Sequence, residues 1–178
     1  MGPLHIVYTV GHSSRDLEEF LSLLEYLDIE FIVDVRRWPT SRKYPHFSRR
    51  SLEEALSKRR IMYAWMPELG GYRRFGVEVE DIGIARCFES EGFRAYATYI
   101  LTSPEAKEAL ERLEGLVRRH RVAVMCSERI PWRCHRKIIS DWLLSKGFRV
   151  VHIIDRERLV DHKPTRCADI REGKLRYL

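Results

Sequence analysis

Short apolar runs alternate with amphipathic stretches along this chain. Leu4 to Val10 is apolar and β-rich and predicts a first strand, which Gly11-His12-Ser13 stops. Ser13, with Asp16 three residues on, has the form of a capping box. Leu17, Phe20, Leu21, Leu24 and Leu27 then recur at helical spacing on one face. Phe31 to Val35 is a continuous apolar run leading into Arg36, the pattern of a buried strand. A basic, proline-containing loop from Arg36 to Arg50 follows, and Ser51 with Glu54 marks a short helix to about Arg60. Ile61 to Met66 predicts a third strand, stopped by Pro67, with a glycine-containing loop to Gly76.

Val77 to Glu91 is ambiguous and expected to be partly helical. Phe93 to Leu101 predicts a helix. Ser103 before Pro104 sets an N-cap with proline at the first position of the next helix, which carries Leu110, Leu113 and Val117 and ends near His120. Val122 to Met125 predicts a fourth buried strand. The loop from Cys126 to Arg133 enters a helix with Ile138, Ile139, Trp142 and Leu143 inward, closed by Gly147. Val150 to Ile154 predicts a fifth strand. This alternation predicts a single α/β domain, Rossmann-like and three-layered, with a mostly parallel five-stranded sheet and helices on both faces. The domain is expected to span 1–155, with the polar remainder, 156–178, an extension of it that forms a tail or a lid.

Composition narrows the class. With 178 residues, 44% hydrophobic and 33% charged, the chain has the size and balance of one globular domain. No apolar run reaches the roughly 18 residues of a membrane span. The N-terminus lacks a basic region before an apolar block, so a cytoplasmic protein without a signal peptide is expected. The net charge of +6 suits a polyanionic partner and equally suits an arginine-rich surface laced with ion pairs. The chain has 25 Arg against 7 Lys and no Asn or Gln, the bias of a thermophile protein. Its four cysteines, at 87, 126, 134 and 167, form no CxxC pair and are expected to be reduced, intracellular disulfides of hyperthermophiles being the exception.

Ligands of open α/β sheets bind outside the carboxyl ends of the strands. His12, Asp34 with Arg36, the Pro67-Glu68-Leu69-Gly70-Gly71 loop, Cys126-Ser127-Glu128 and Asp155 all fall there. Cys126 precedes a helix start and has Arg129, Arg133 and Arg136 downstream, a setting that favours a thiolate or an anion; alternatively it is a small buried hydrophobe at a strand end. Asp34 and Arg36, two apart, share a face, so that Arg36 grips a phosphate or carboxylate or the two form a structural ion pair. His12 and Glu128 are acid–base candidates. Cys126, Cys134 and His135 offer metal ligands, though the C-x7-C-H spacing fits no standard zinc pattern, and the two cysteines offer a disulfide. From Arg36 to Phe47 basic residues interleave with Trp38, Tyr44 and Phe47, as phosphate contacts interleave with base-stacking platforms; Tyr72-Arg73-Arg74-Phe75 repeats the theme. An ordered surface loop has the same composition.

Thr9-Val10-Gly11-His12-Ser13, Asp34-Val35-Arg36 with Pro39 and Ser41-Arg42, Pro67-Glu68-Leu69-Gly70-Gly71, Gly92-Phe93-Arg94 with Tyr96, and Met125-Cys126-Ser127-Glu128 with Pro131-Trp132-Arg133-Cys134-His135-Arg136 together resemble the family called domain of unknown function 488. The resemblance implies a compact α/β fold with these motifs gathered in one site, and supplies no reaction. Asp34-Val35-Arg36 and the strand-end Cys126 are also similar to rhodanese-like sulfurtransferases, but the loop after Cys126 holds Pro131 and Trp132 where those proteins carry glycines. The expectation is an enzyme for an anionic substrate (phosphorylated, nucleotide or nucleic acid). Cys126 would be its nucleophile, His12, Glu128 and Asp34 would assist, and Arg36, Arg42, Arg133, Arg136, Trp38, Glu68, Arg94 and Tyr96 would bind. The alternatives are a nucleic-acid or nucleotide-binding module without catalysis and a metal site at Cys126, Cys134 and His135. The pattern specifies no cofactor.

Overall fold

Period-two alternation along the strands divides the apolar residues between two faces of one sheet. A computed structural model describes residues 5–178; Leu4, assigned to the first strand from the sequence, lies outside them. Strands β1 (Ile6–Gly11), β2 (Phe31–Asp34), β3 (Met62–Trp65), β4 (Val122–Cys126) and β5 (Arg149–Ile153) are parallel, and β6 (Leu159–Asp161) adds an antiparallel edge in the order β3-β2-β4-β1-β5-β6. Tyr8, Val10, Ile32, Ala123, Met125 and Val151 face one way, against helices α1 (Leu17–Tyr26) and α2 (Arg49–Lys58). Val7, Val33, Val122, Val124, Cys126 and Val150 face the other, against α3 (Glu91–Thr102), α4 (Pro104–Arg119) and α5 (Arg136–Ser145). The result is the expected three-layer α/β fold. Strand β4, late in sequence, inserts between β1 and β2, so the loops after those three strands meet at one edge.

Four local expectations are corrected. Ser13 does not cap α1: its backbone takes a left-handed φ of 48° and its N–H bonds Ser127 O, which spends it in the turn between β1 and the loop after β4. The α2 helix begins at Arg49 with Ser48, not Ser51, at the cap, because Pro45–Phe47 form a 3-10 turn that delivers Ser48 in extended geometry. The stretch 77–90 holds no helix; it is a chain of turns with left-handed Gly83 and Ala85, ended by the Ser90 cap on α3. The sheet has six strands rather than five, because part of the 156–178 segment pairs with β5 as β6, and another part forms the hairpin of β7 (Ala168–Arg171) and β8 (Lys174–Tyr177). Leu175 and Tyr177 of that hairpin enter the core beside α5. The Ser103-Pro104 start of α4 is as read, Ser103 Oγ accepting from the Ala106 N–H.

The thiols divide. Cys87 and Cys167, expected reduced, form a disulfide between the turns before α3 and the C-terminal hairpin, their Cα atoms 6.2 Å apart. Cys126 and Cys134 are free and buried. Among the described residues no helix is long and apolar enough to cross a membrane.

Candidate functional site

A cavity of about 460 Å³ opens at the carboxyl edge of β1, β2 and β4. Cys126, Cys134, His135, His12, Arg36 and Tyr96 line its depth, while Trp38, Tyr72, Phe93 and Arg133 stand further out. Gly11 and Gly70 make the edge possible. A Cβ on Gly11 would lie 1.9 Å from the Glu128 carbonyl oxygen, and one on Gly70 2.5 Å from the Arg37 Cα, so both loops pass where only hydrogen fits.

At the end of β2, Asp34 accepts two hydrogen bonds from the Arg36 guanidinium, at 2.9 and 2.7 Å, and a third from the Tyr63 hydroxyl at 2.5 Å. Burial works against the Arg36 charge, and this bidentate pairing more than offsets it, raising its pKa. The remaining Arg36 nitrogen, Nη1, lies 3.3 Å from His12 Nε2. Arginine only donates, so His12 Nε2 accepts and Nδ1 carries the proton, 3.1 Å from the Ser13 carbonyl. Burial and then Arg36 push the His12 pKa down to about 4, despite the Ser13 bond, so the ring is neutral near pH 7.

Cys126 ends β4 and Cys134 ends the 3-10 turn Pro131–Arg133 that leads into α5. Their sulfurs are 2.9 Å apart. Cys134 also faces His135 Nδ1 at 3.4 Å and the Arg136 backbone N–H at 3.5 Å, a donor in the first turn of α5. His135 Nε2 lies 3.0 Å from the Val35 carbonyl, which can only accept, so the lone-pair nitrogen of the neutral ring is the one turned to Cys134. Burial would raise both thiols. For Cys134 the hydrogen bond from Cys126, then His135 and Arg136, outweigh it and hold the thiol well below its ordinary value; Cys126 is pushed up by burial and by its bond to Cys134. These contacts favour negative charge on Cys134 and the proton on Cys126. The sequence placed that charge on Cys126.

Arg136, 1% exposed, lies beneath the pair. No carboxylate among the described residues is within ion-pair distance of it, and its Nε has no hydrogen-bond partner. Burial disfavours its charge, and the two thiols reverse that, raising its pKa. Its Nη2 donates to the Glu128 carbonyl, which seats the loop after β4. Its Nη1 starts a buried chain, taken with one proton on each ring. Arg136 Nη1 donates to Thr9 Oγ1 (3.0 Å), the Thr9 hydroxyl to His152 Nδ1 (2.6 Å), His152 Nε2 to His162 Nδ1 (2.8 Å), and His162 Nε2 to Asp141 Oδ1 (2.8 Å). Burial, then His162 and Arg136, push the His152 pKa down to about 3, so that ring is neutral near pH 7. Asp141 also accepts from the Tyr177 hydroxyl (2.7 Å) and the Thr165 N–H (3.0 Å). An anion at one end and a cation at the other thus bracket four polar bonds.

The pocket gathers His12, Arg36, Trp38, Tyr96, Cys126, Glu128, Arg133, Cys134 and His135 from the sequence expectation. Asp34 and Arg136 sit one layer behind its wall. Besides Arg136, three expected binding residues do not line it. Arg42 is exposed on the loop outside it. Arg94 is held by Asp81 at 2.5 and 3.0 Å, away from the cavity. Glu68 turns to Arg112 at 3.5 Å because Pro67–Leu69 form a 3-10 turn. Among the described residues no group of three or more His, Cys, Asp or Glu side chains is arranged to hold a metal ion. The Ile130, Arg133 and Cys134 amides are spent inside the loop, on Glu128 Oε1, Ile130 O and Pro131 O. Thr9, Asp141, His152 and His162 were missed: each reads locally as a core position in a strand, in a helix or beside an edge strand.

The fold and pocket define an α/β protein with a buried thiol pair at the carboxyl edge of its sheet. The family model described as domain of unknown function DUF488 matches residues 16–143, and the chain belongs to that family. No curated protein and no solved structure matches the chain.

Proposed function

We propose that this pocket is the active site of a thiol-dependent enzyme acting on an anionic substrate. The observation that carries the reading is Arg136, a buried cation without a carboxylate in contact, set against two thiols. A buried charge persists only when compensated, and a thiolate shared by Cys134 and Cys126 is the compensation at hand. Cys134 is then the nucleophile and Cys126 the thiol that hydrogen-bonds to it. Neutral His12 stands ready to accept a proton, His135 faces the Cys134 sulfur, and Arg36 and Arg133 present positive charge to a substrate carboxylate or phosphate. The test is alkylation of the folded protein across pH, read at each cysteine by mass spectrometry. Cys134 is expected to react well below the free-thiol value of about 8.5, and iodoacetate, an anion, is expected to gain on neutral iodoacetamide, a gain that Arg133→Ala reduces. A Cys134 that reacts only above that pH would overturn the reading.

A second reading, a nucleotide or nucleic-acid binding module, draws on the rim. Trp38 and Tyr72 are 61% and 78% exposed with ring centroids 5.8 Å apart, and the Arg37 guanidinium lies over Trp38. Such a platform stacks bases while arginines meet phosphates. It requires binding that weakens steeply with salt and is lost in Trp38→Ala; salt-insensitive or absent binding to single-stranded RNA and DNA would remove it.

A further inference from the structure

We infer that Cys134 and Cys126 form a redox dithiol that carries out thiol–disulfide exchange with small anionic disulfides, Cys134 attacking and Cys126 resolving. The inference rests on the thiolate reading above and adds the electrophile and the fate of the second sulfur.

Three observations carry it. The first is the placement of the sulfurs, 2.9 Å apart on different elements, one ending β4 and one entering α5. A lone nucleophile needs no second thiol at its sulfur; a mixed disulfide does, because the resolving thiol must reach the sulfur under attack. The second is their asymmetry. Cys134 accepts from the Arg136 N–H, faces His135 Nδ1 and is 5% exposed, while Cys126 is 2% exposed and bonds to Cys134 and to the Glu128 carbonyl. The attacking sulfur is the one with the stabilised charge and the greater access. The third is the buried Arg136. When the pair closes, this guanidinium loses its anion, which leaves the closed form the costlier state and easily reopened. A pair so placed turns over, where a structural disulfide stays shut. The cavity of about 460 Å³ gives a small disulfide room, and Arg133 at its rim, without a carboxylate partner among the described residues where Arg36 and Arg37 pair with Asp34 and Glu78, favours one that carries carboxylates.

The electrons balance as follows. The Cys134 thiolate attacks one sulfur of the substrate R–S–S–R′, forming Cys134–S–S–R and expelling R′S⁻, which takes the Cys126 proton. The Cys126 thiolate then attacks the Cys134 sulfur, closing the Cys126–Cys134 disulfide and expelling RS⁻, which is protonated by solvent. Two electrons pass from the pair to the substrate, and an external thiol reductant restores the dithiol by the reverse exchange.

Oxidised glutathione, an anionic disulfide, and cystamine, a cationic one, serve as probes on the full chain. The wild type treated with oxidised glutathione should lose two hydrogens, with Cys126 and Cys134 joined on peptide mapping and no glutathione retained. Cys126→Ser should hold glutathione on Cys134, at least about tenfold faster than Cys134→Ser holds it on Cys126, because attack follows the thiolate fraction. Cystamine should react more slowly than oxidised glutathione. Graded reduction should open Cys126–Cys134 before Cys87–Cys167. Equal adducts in the two variants, or a wild type that never closes, would overturn the exchange reaction. If Cys134 still alkylates below the ordinary thiol range in that case, the thiolate reading survives and only the dithiol fails; if it does not, both fail. Wild-type closure needs no variant, so a substitution that prevents folding leaves the test intact.

Discussion

A Cβ built on Gly11 falls 1.9 Å from the Glu128 carbonyl oxygen and 2.8 Å from the Arg129 Cα, backbone atoms that no rotamer change moves. Gly11→Ala must push the loop after β4 outward and strip Arg136 of its Glu128 acceptor. Overpacking of this kind costs about 1–3 kcal/mol or more, read as a lower denaturant midpoint, and Cys134 should then alkylate at higher pH. Two buried histidines set a pH dependence. His12 and His152 are pushed down to about 4 and about 3, while in the unfolded chain a histidine titrates at about 6.5. Below about 6.5 the unfolded state therefore binds protons that the folded state refuses, and stability falls as pH falls, by up to about 1.4 kcal/mol per pH unit per histidine, until the folded values are reached. Unfolding free energies between pH 7 and pH 4 check this, and His12→Asn should flatten the slope; a stability that stays level across that range would contradict neutral burial of both rings. Residues with chemistry at strand ends were legible because position alone marks them: His12, Arg36 and Cys126 all reach the pocket. The Thr9–His152 bond joins residues 143 apart, and no local pattern announces such a partner.

At the scale of elements, the apolar period carried most of the fold. Strand runs such as Val122 to Met125 and the helical spacing from Leu17 to Leu27 are set by the face they bury, so the pattern survives in one sequence. What failed was decided by the neighbours of the segment. Ser13 carries the right side chain for a cap, yet the loop after β4 claims its N–H. Leu159–Asp161 has too few residues for a period and becomes a strand only because β5 offers a free edge. Immediately past that strand stands His162, which joins β5, through His152, to Asp141 on α5. Asp141→Asn leaves the shape but removes the charge that His162, Tyr177 and Thr165 converge on. Hydrogen bonds to a charged group contribute about 1.5–3 kcal/mol, and a loss of that order is expected by chemical denaturation. Cys134 should also alkylate at higher pH, since His152 and Thr9 would no longer be held in the order that orients Arg136. A stability loss with an unchanged alkylation profile would mean that Asp141 only anchors the hairpin.

Taken as one molecule, the chain closes on itself through its last residues. Residues 156–178 read as a polar tail or lid because their apolar side chains are few and spaced by charges; the positions that matter, Leu175 and Tyr177, pack beside α5 and are visible as core only once the hairpin is formed. The Cys87–Cys167 disulfide ties that hairpin to the turns before α3, across 80 residues of sequence. Cross-linking so long a loop restricts the unfolded chain far more than the folded one, a contribution of roughly 2–4 kcal/mol. Cys87→Ser should therefore lower the unfolding free energy by about that amount, measured against wild type under non-reducing conditions. The same turns lead into Ser90, Gly92 and Phe93 on the pocket wall, yet the Ser90 cap and the Arg94–Asp81 pair hold that wall independently of the cross-link. The pH at which Cys134 alkylates should then be the same in Cys87→Ser as in wild type. A shifted profile would show that the cross-link holds the pocket as well as the fold, and an unchanged stability would show that the chain does not depend on it.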